Sequence, residues 1–200
     1  MILPIVKYGH PALRQKGAPV DTLTPEIRHL IDDMLETMHA EHGVGLAAQQ
    51  VGRPLLITVV DVTGVQDRPS TLEIDGRSLP PESRMPLVLI NPEITPFGES
   101  AAGPEGCLSF PEIYAEISRP QSVTVRAVNE NGEWRTFKCG GLLSRAVQHE
   151  FDHLQGILFI DRMSREIKQG FQAELDALQA ATKLELKQGA SLSTARGERM

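Results

Sequence analysis

Hydrophobic positions recur along residues 24 to 43, "TPEIRHLIDDMLETMHAEHG", at the three- and four-residue intervals of an amphipathic helix: Ile27, Leu30, Ile31, Met34, Leu35 and Met38 share one face. Thr24 suits the N-cap, Pro25 the first helical position and Gly43 the C-terminal cap. Two aliphatic, β-branched runs follow, "LLITVVDV" at 55 to 62 and "LVLINPEI" at 87 to 94, and their Pro and Gly boundaries predict strands. Residues 63 to 85 between them are rich in Pro, Gly, Ser and charge, which predicts an exposed loop with a small hairpin around "EIDGRS". "SVTVRAV" and "EWRTFKC", joined through "NENG", predict an antiparallel hairpin. A second helix is expected from about Leu142 and a last one from Ser164 to about Lys187, with residues 188 to 200 a polar, disordered tail. Strands interleaved with three helices, without regular βαβ alternation, predict a compact α+β domain over residues 1 to 187 with a mixed or antiparallel sheet.

Composition narrows the function classes. A chain of 200 residues, 40% hydrophobic, can bury one core of its own. Its net charge of -6 and the lack of a basic run argue against a nucleic-acid surface, which needs clustered Lys and Arg. The amino-terminal segment has neither the charged start nor the cleavage site of a secretory signal, and no stretch approaches ~18 consecutive apolar residues, so a cytoplasmic protein with no membrane partner is expected. Two cysteines, Cys107 and Cys139, are present. In a reducing compartment such a pair is expected to be reactive, metal-binding or buried rather than bridged.

The chemistry concentrates in "QHEFDHLQGILF", residues 148 to 159. On a helix, His149 and His153 lie about 40° apart, with Leu142 and Ala146 in the same sector. Leu143, Val147, Phe151 and Leu154 take the adjoining face, and Arg145, Gln148 and Asp152 lie opposite. Glu150 projects beside the histidines, where a carboxylate can touch a metal's water without taking a coordination site. Two imidazoles leave a third ligand to find. Position 159 is Phe and no histidine follows His153; Glu166 and Glu174 fit a solvated helix face better. Upstream, His29 and His39 fall off the apolar stripe of the first helix, His42 sits at its exposed end, and His10 lies in the amino-terminal loop. Cys107, in "GPEGCLSFP", stands apart because glycine and proline there can hold a turn that presents a thiolate. One Cys and two His would leave an open fourth position, as in a catalytic site. Cys139, at an apolar strand end, is expected to be a small buried hydrophobe. "GVGLAAQQVG", residues 43 to 52, mimics a dinucleotide fingerprint but follows a helix and leads into a strand, the reverse of the required context. Its small residues suit close approach of backbone to a ligand, with Gln49 or Gln50 offering an amide.

In this order "GVGLAAQQ", "EGCLS" and "HEFDH" resemble the three signature motifs of the peptide deformylase family, and the likeness extends through "HPALR", "INPEI" and "GLLSRAVQHEFDHLQGILFIDR". The resemblance implies a fold with the histidine helix central against the sheet, and removal of the formyl group from N-formylmethionyl nascent polypeptides. It implies Cys107, His149 and His153 as ligands of one divalent metal ion, natively Fe2+, with Zn2+, Ni2+ or Co2+ able to substitute. It makes Glu150 the general base and acid, and the Gln50 side-chain amide with the Leu108 backbone N–H the oxyanion hole. Gly45 and the neighbouring edge would pair with the peptide, and Val44, Leu142 and Ala146 would line the methionine pocket. A monomer is expected. Transient ribosome contact through the last helix, as in some relatives, finds only a weak basic bias in Lys183, Lys187, Arg196 and Arg199. Two features depart from the pattern: the stretch from Thr63 to Met85 is longer than in compact members, and Tyr114 stands where some relatives carry arginine. The competing readings are a zinc-dependent peptidase of another HExxH class, which lacks its downstream third ligand here, and a non-catalytic metal-stabilised module, which would need a fourth protein ligand.

Overall fold

The computed structural model describes the backbone of residues 1 to 197 and the side chains of residues 1 to 189. Its first helix, α1, spans Pro25–Ala40, opened by Thr24, whose Oγ accepts the Ile27 N–H at 3.4 Å. It closes in a Schellman turn, with His42 N–H donating to the His39 carbonyl at 3.1 Å and Gly43 N–H to the Met38 carbonyl at 2.9 Å. His42, at φ 55°, therefore takes the left-handed position expected at Gly43. The glycine is needed for another reason: a Cβ on it would sit 3.0 Å from the Leu108 side chain.

Among the described residues seven strands form one sheet: β1 Gly45–Ala47, β2 Ile57–Val60, β3 Ser70–Ile74, β4 Arg77–Leu79, β5 Leu87–Cys107, β6 Phe110–Val128 and β7 Trp134–Gly140. Their order is β1-β2-β5-β6-β7-β3-β4, and every pairing between named strands is antiparallel. The expected hairpins are present as β6–β7 and, around "EIDGRS", as β3–β4, which extends the sheet beyond β7. β5 is the main departure. It continues past the predicted 87 to 94 run through Pro- and Gly-rich sequence to Cys107, because β6 pairs with it almost throughout. Cys107 accordingly ends a strand, and the turn is Leu108–Ser109.

The continuous apolar run of β2 follows from its position, covered on both faces. Ile57 and Val59 join Leu30, Ile31, Met34 and Met38 of α1 on one side. Val60 joins Val123, Val125, Leu143 and Val147 on the other, under the second helix, α2, Gly141–Leu154. Period-two alternation along one strand thus serves two helices on opposite faces. Ile90, 1% exposed, packs on the α1 side. Ile90→Val is expected to cost about 1 kcal/mol by denaturant titration with an unchanged slope; no shift in midpoint would show that this layer is loosely packed.

A third cluster joins Leu13, Phe110, Ile117, Leu158, Phe159 and Leu175. It anchors the carboxy-terminal segment, which is not the unbroken helix expected from Ser164. Ser164 caps a short α3, Arg165–Gly170, and α4, Gln172–Gly197, follows after a break at Phe171, whose ring packs against this cluster. Backbone helix thus continues past Lys187; of the tail expected from 188, side chains from 190 onward and residues 198 to 200 lie outside the described residues. Among the described residues no helix is long and apolar enough to cross a membrane.

Candidate metal centre

α2 starts where Gly140 and Gly141 let the chain turn from β7, with Gly141 at φ 66° and so close to Pro69 that a Cβ would overlap its carbonyl. The helix carries His149 and His153, 8% and 1% exposed, to the end of β5. There Cys107 Sγ lies 3.3 Å from His153 Nε2, and one ligand atom from each of Cys107, His149 and His153 falls within 4.8 Å of the others. The His149 and His153 rings stand edge to face with centroids 5.1 Å apart. His149 Nδ1 lies 3.0 Å from Glu105 Oε2. A carboxylate only accepts, so Nδ1 carries the hydrogen and Nε2 is left for a metal. A thiolate with two imidazoles, joined by no fourth protein ligand among the described residues, suits a borderline-soft divalent cation with one position open. His10, His29, His39 and His42 are not in the cluster: His10 caps a short 3-10 helix, His29 bonds the Pro25 carbonyl, His39 meets Asp61, and His42, exposed in the turn after α1, lines the outer part of the cavity onto which the cluster opens. Glu166 and Glu174 are exposed and outside the cluster. Cys139 is buried, and that burial pushes its thiol up to about 12.

Glu150 is 4% exposed, and its Oε2 has no partner among the described residues. Burial pushes its carboxyl up to about 7. Its other oxygen sits against β1 so closely that a Cβ on Gly45 would be 2.5 Å from Oε1. Gly45→Ala is therefore expected to displace the carboxylate and lower kcat by about 10²-fold, the scale of a 1 Å misplacement; unchanged kcat with full metal content would show the contact to be soft. Gln50, not Gln49, is the amide that reaches the cluster. Its Oε1 accepts the Ala47 N–H at 2.8 Å, which turns Nε2 toward Cys107 Sγ at 3.4 Å. Gln49 is fully buried with neither amide atom paired among the described residues. Leu108 follows Cys107 in the turn, which Lys7 Nζ tethers by the Leu108 carbonyl at 2.8 Å.

A cavity of about 560 Å³ opens onto these groups, lined among others by Val44, Gly45, Cys107, Leu108, Leu142, Ala146, His149 and Glu150. The structure thus brings the sequence-selected site residues to one place, with His153 and Gln50 each meeting Cys107 on the cavity wall. A larger hollow of about 660 Å³ between α1 and the β6–β7 end of the sheet contains none of the Cys or His ligands. Tyr114 stands on the rim, 69% exposed, its ring against Gly106 where a Cβ would be 2.6 Å away.

Sequence reasoning missed what holds the ligands. Arg119, 4% exposed, donates from Nε and Nη2 to the two oxygens of Glu105 at 2.6 and 2.9 Å, and from Nη1 to Asp152 at 2.8 Å. Arg145 adds a bond to Glu105 at 2.8 Å, and Arg162 closes on Asp152 at 2.6 Å. Burial alone would raise the Glu105 carboxyl; His149 and Arg119 outweigh it and hold it well below the usual range. The polar side of α2, expected to lie opposite the site, is therefore buried against an ionic network. No sequence pattern pointed to Glu105, because the segment reads as a turn and becomes the end of a strand only through pairing with β6.

A buried carboxylate beside a cluster of one cysteine and two histidines with an open position, on a helix braced against an antiparallel sheet, defines a metal-dependent hydrolase. The sequence matches the model of the polypeptide deformylase family over residues 2–169, and the chain belongs to that family, whose function is deformylation of nascent peptides. It is 42% identical to a peptide deformylase of Opitutus terrae, covering 94% of this chain and 98% of the relative, and 46% identical to one of Methylacidiphilum infernorum, covering 89% and 93%. Among solved structures it resembles Arabidopsis thaliana peptide deformylase 1B at TM-score 0.78 and 36% identity, covering 94% of each chain. A peptide deformylase from Synechococcus elongatus in complex with actinonin matches at TM-score 0.74 and 36% identity, covering 86% of this chain and 87% of that one.

Proposed function

We propose that this enzyme hydrolyses the N-formyl group of N-formylmethionyl nascent polypeptides, with Cys107, His149 and His153 holding a ferrous ion that zinc, nickel or cobalt can replace. The observation that carries the reading is Glu150, buried with an oxygen unpartnered among the described residues, beside a ligand cluster that no fourth described side chain closes. The bound cation would supply Lewis acidity toward water and the formyl oxygen.

The protein's own residues do the rest. Glu150 takes a proton from the attacking water and returns it to the departing amine, so that formamide and water become formate and a free methionyl amine. Gln50, its carbonyl end pinned by Ala47, holds its amide donors at the cluster before substrate arrives. With the Leu108 N–H it meets the charge that grows on the formyl oxygen, a pre-set pair that costs no reorganisation during reaction. Gly45, on the edge strand β1, offers backbone pairing to an extended peptide, and Val44, Leu142 and Ala146 give the methionine side chain an apolar wall. The same reading places the enzyme in the cytoplasm as a monomer, with α4 the surface for any transient ribosome contact.

The test is formate release from formyl-Met-Ala-Ser by protein purified anaerobically and loaded with iron, nickel or zinc. Metal-dependent release, abolished in Cys107→Ser and accompanied by little cleavage of acetylated or unblocked peptide, supports the reading. Folded, metal-loaded protein that releases no formate and cuts internal amides instead would favour the peptidase of another HExxH class.

A further inference from the structure

The cavity wall carries three lysine or arginine side chains. Arg145 is engaged by Glu105 and by the carbonyls of Ala101, Gly103 and Ile117, and Lys7 donates to the Leu108 carbonyl inside the turn that follows Cys107. Arg68 has the most donors left over. Among the described residues it makes one hydrogen bond, from Nη2 to the Pro104 carbonyl at 3.2 Å, and no ion pair, although it is half-buried. A guanidinium has five N–H donors and desolvating it without a counter-charge is unfavourable, so this side chain has recognition capacity to spare.

Its position follows from the neighbouring backbone. Pro69 accepts the Leu142 N–H at 3.1 Å, which fixes this segment at the start of α2, and the bond to Pro104 ties it to β5 just before Cys107. Arg68 therefore stands at the outer edge of the wall that Leu142 and Ala146 continue inward. Side chains of an extended peptide alternate, so the third residue points to the same side as the first. With methionine against Leu142 and Ala146, the third side chain faces Arg68.

We propose that Arg68 is a specificity-determining residue that recognises a carboxylate on the third residue of the formylated peptide. This rests on the deformylase reading above. The pair sits at a half-exposed rim, so it binds ground state and transition state alike and acts through KM rather than kcat.

The experiment compares C-terminally amidated formyl-Met-Ala-Asp-Ala with formyl-Met-Ala-Lys-Ala, the amide removing a competing terminal carboxylate. Wild-type kcat/KM is expected to be roughly threefold to tenfold higher for the aspartyl peptide, carried by KM, and the ratio to shrink at about 1 M salt, where the Debye length is ~3 Å. Arg68→Ala should bring the ratio close to one and Arg68→Glu should invert it, while Arg77→Ala, which removes an exposed charge on β4, should keep it. Equal turnover of both peptides by wild type, or a ratio that Arg68→Ala leaves intact, overturns the assignment and leaves the deformylase reading standing. No turnover of either peptide sinks that reading, and the assignment with it.

Discussion

Glu150→Gln is expected to lower kcat for formyl-peptide hydrolysis by roughly 10²- to 10⁴-fold, the usual worth of a positioned general base and acid, with metal content unchanged. Glutamine keeps the volume that fits against Gly45, and none of the three ligands is touched. What it cannot do is accept a proton. The carboxyl is suited to that task by burial, which raises it from the ordinary carboxylate range toward one in which it can both take and give a proton. Steady-state kinetics with metal analysis of the same sample decides the matter: retention of more than about a tenth of kcat, with one metal bound, would remove Glu150 from the proton path.

The second large effect is expected away from the reacting atoms. Arg119→Met should destabilise the fold by about 3 to 5 kcal/mol, because it strands Glu105 and Asp152 as buried charges that Arg145 and Arg162 only partly compensate. In a domain of this size that is a fall in Tm of roughly 10 °C. A second readout separates this from simple loss of packing. Glu105 sets the ring orientation of His149, so metal affinity should weaken by about 10- to 100-fold. If Tm and metal affinity both stay at wild-type values, the network is ornamental. If Tm alone falls, Glu105 holds His149 without help from Arg119.

The residues that were legible beforehand are those whose role is local. The capped α1, the two hairpins and the histidine pair on α2 follow from spacing and turn chemistry within a few residues, and the structure has them where the pattern put them. Cys107 and Gln50 entered with their motifs. What escaped depends on partners remote in the chain. The stretch from 95 to 106, rich in Gly, Pro and Ala, has poor intrinsic strand preference and is a strand because β6 lies along it. Gly103 and Gly106 there make room, one for the Arg145 guanidinium and the other for the Tyr114 ring. Arg119 and Asp152 look like ordinary surface charges until the fold closes over them, since helix periodicity sorts polar from apolar but not solvated from paired.

The thiol, at the end of β5, and the second imidazole of the metal cluster are 46 residues apart in sequence, and the β6–β7 hairpin lies between them. No fragment ending before α2 contains more than one of the three ligands. Metal capture is thus a late event in the chain's own maturation: the β5–β6 ladder must zip and α2 must dock before an ion finds a three-coordinate seat. Until then the cysteine is a lone thiol, open to oxidation while the ribosome is still adding the segment that will shelter it.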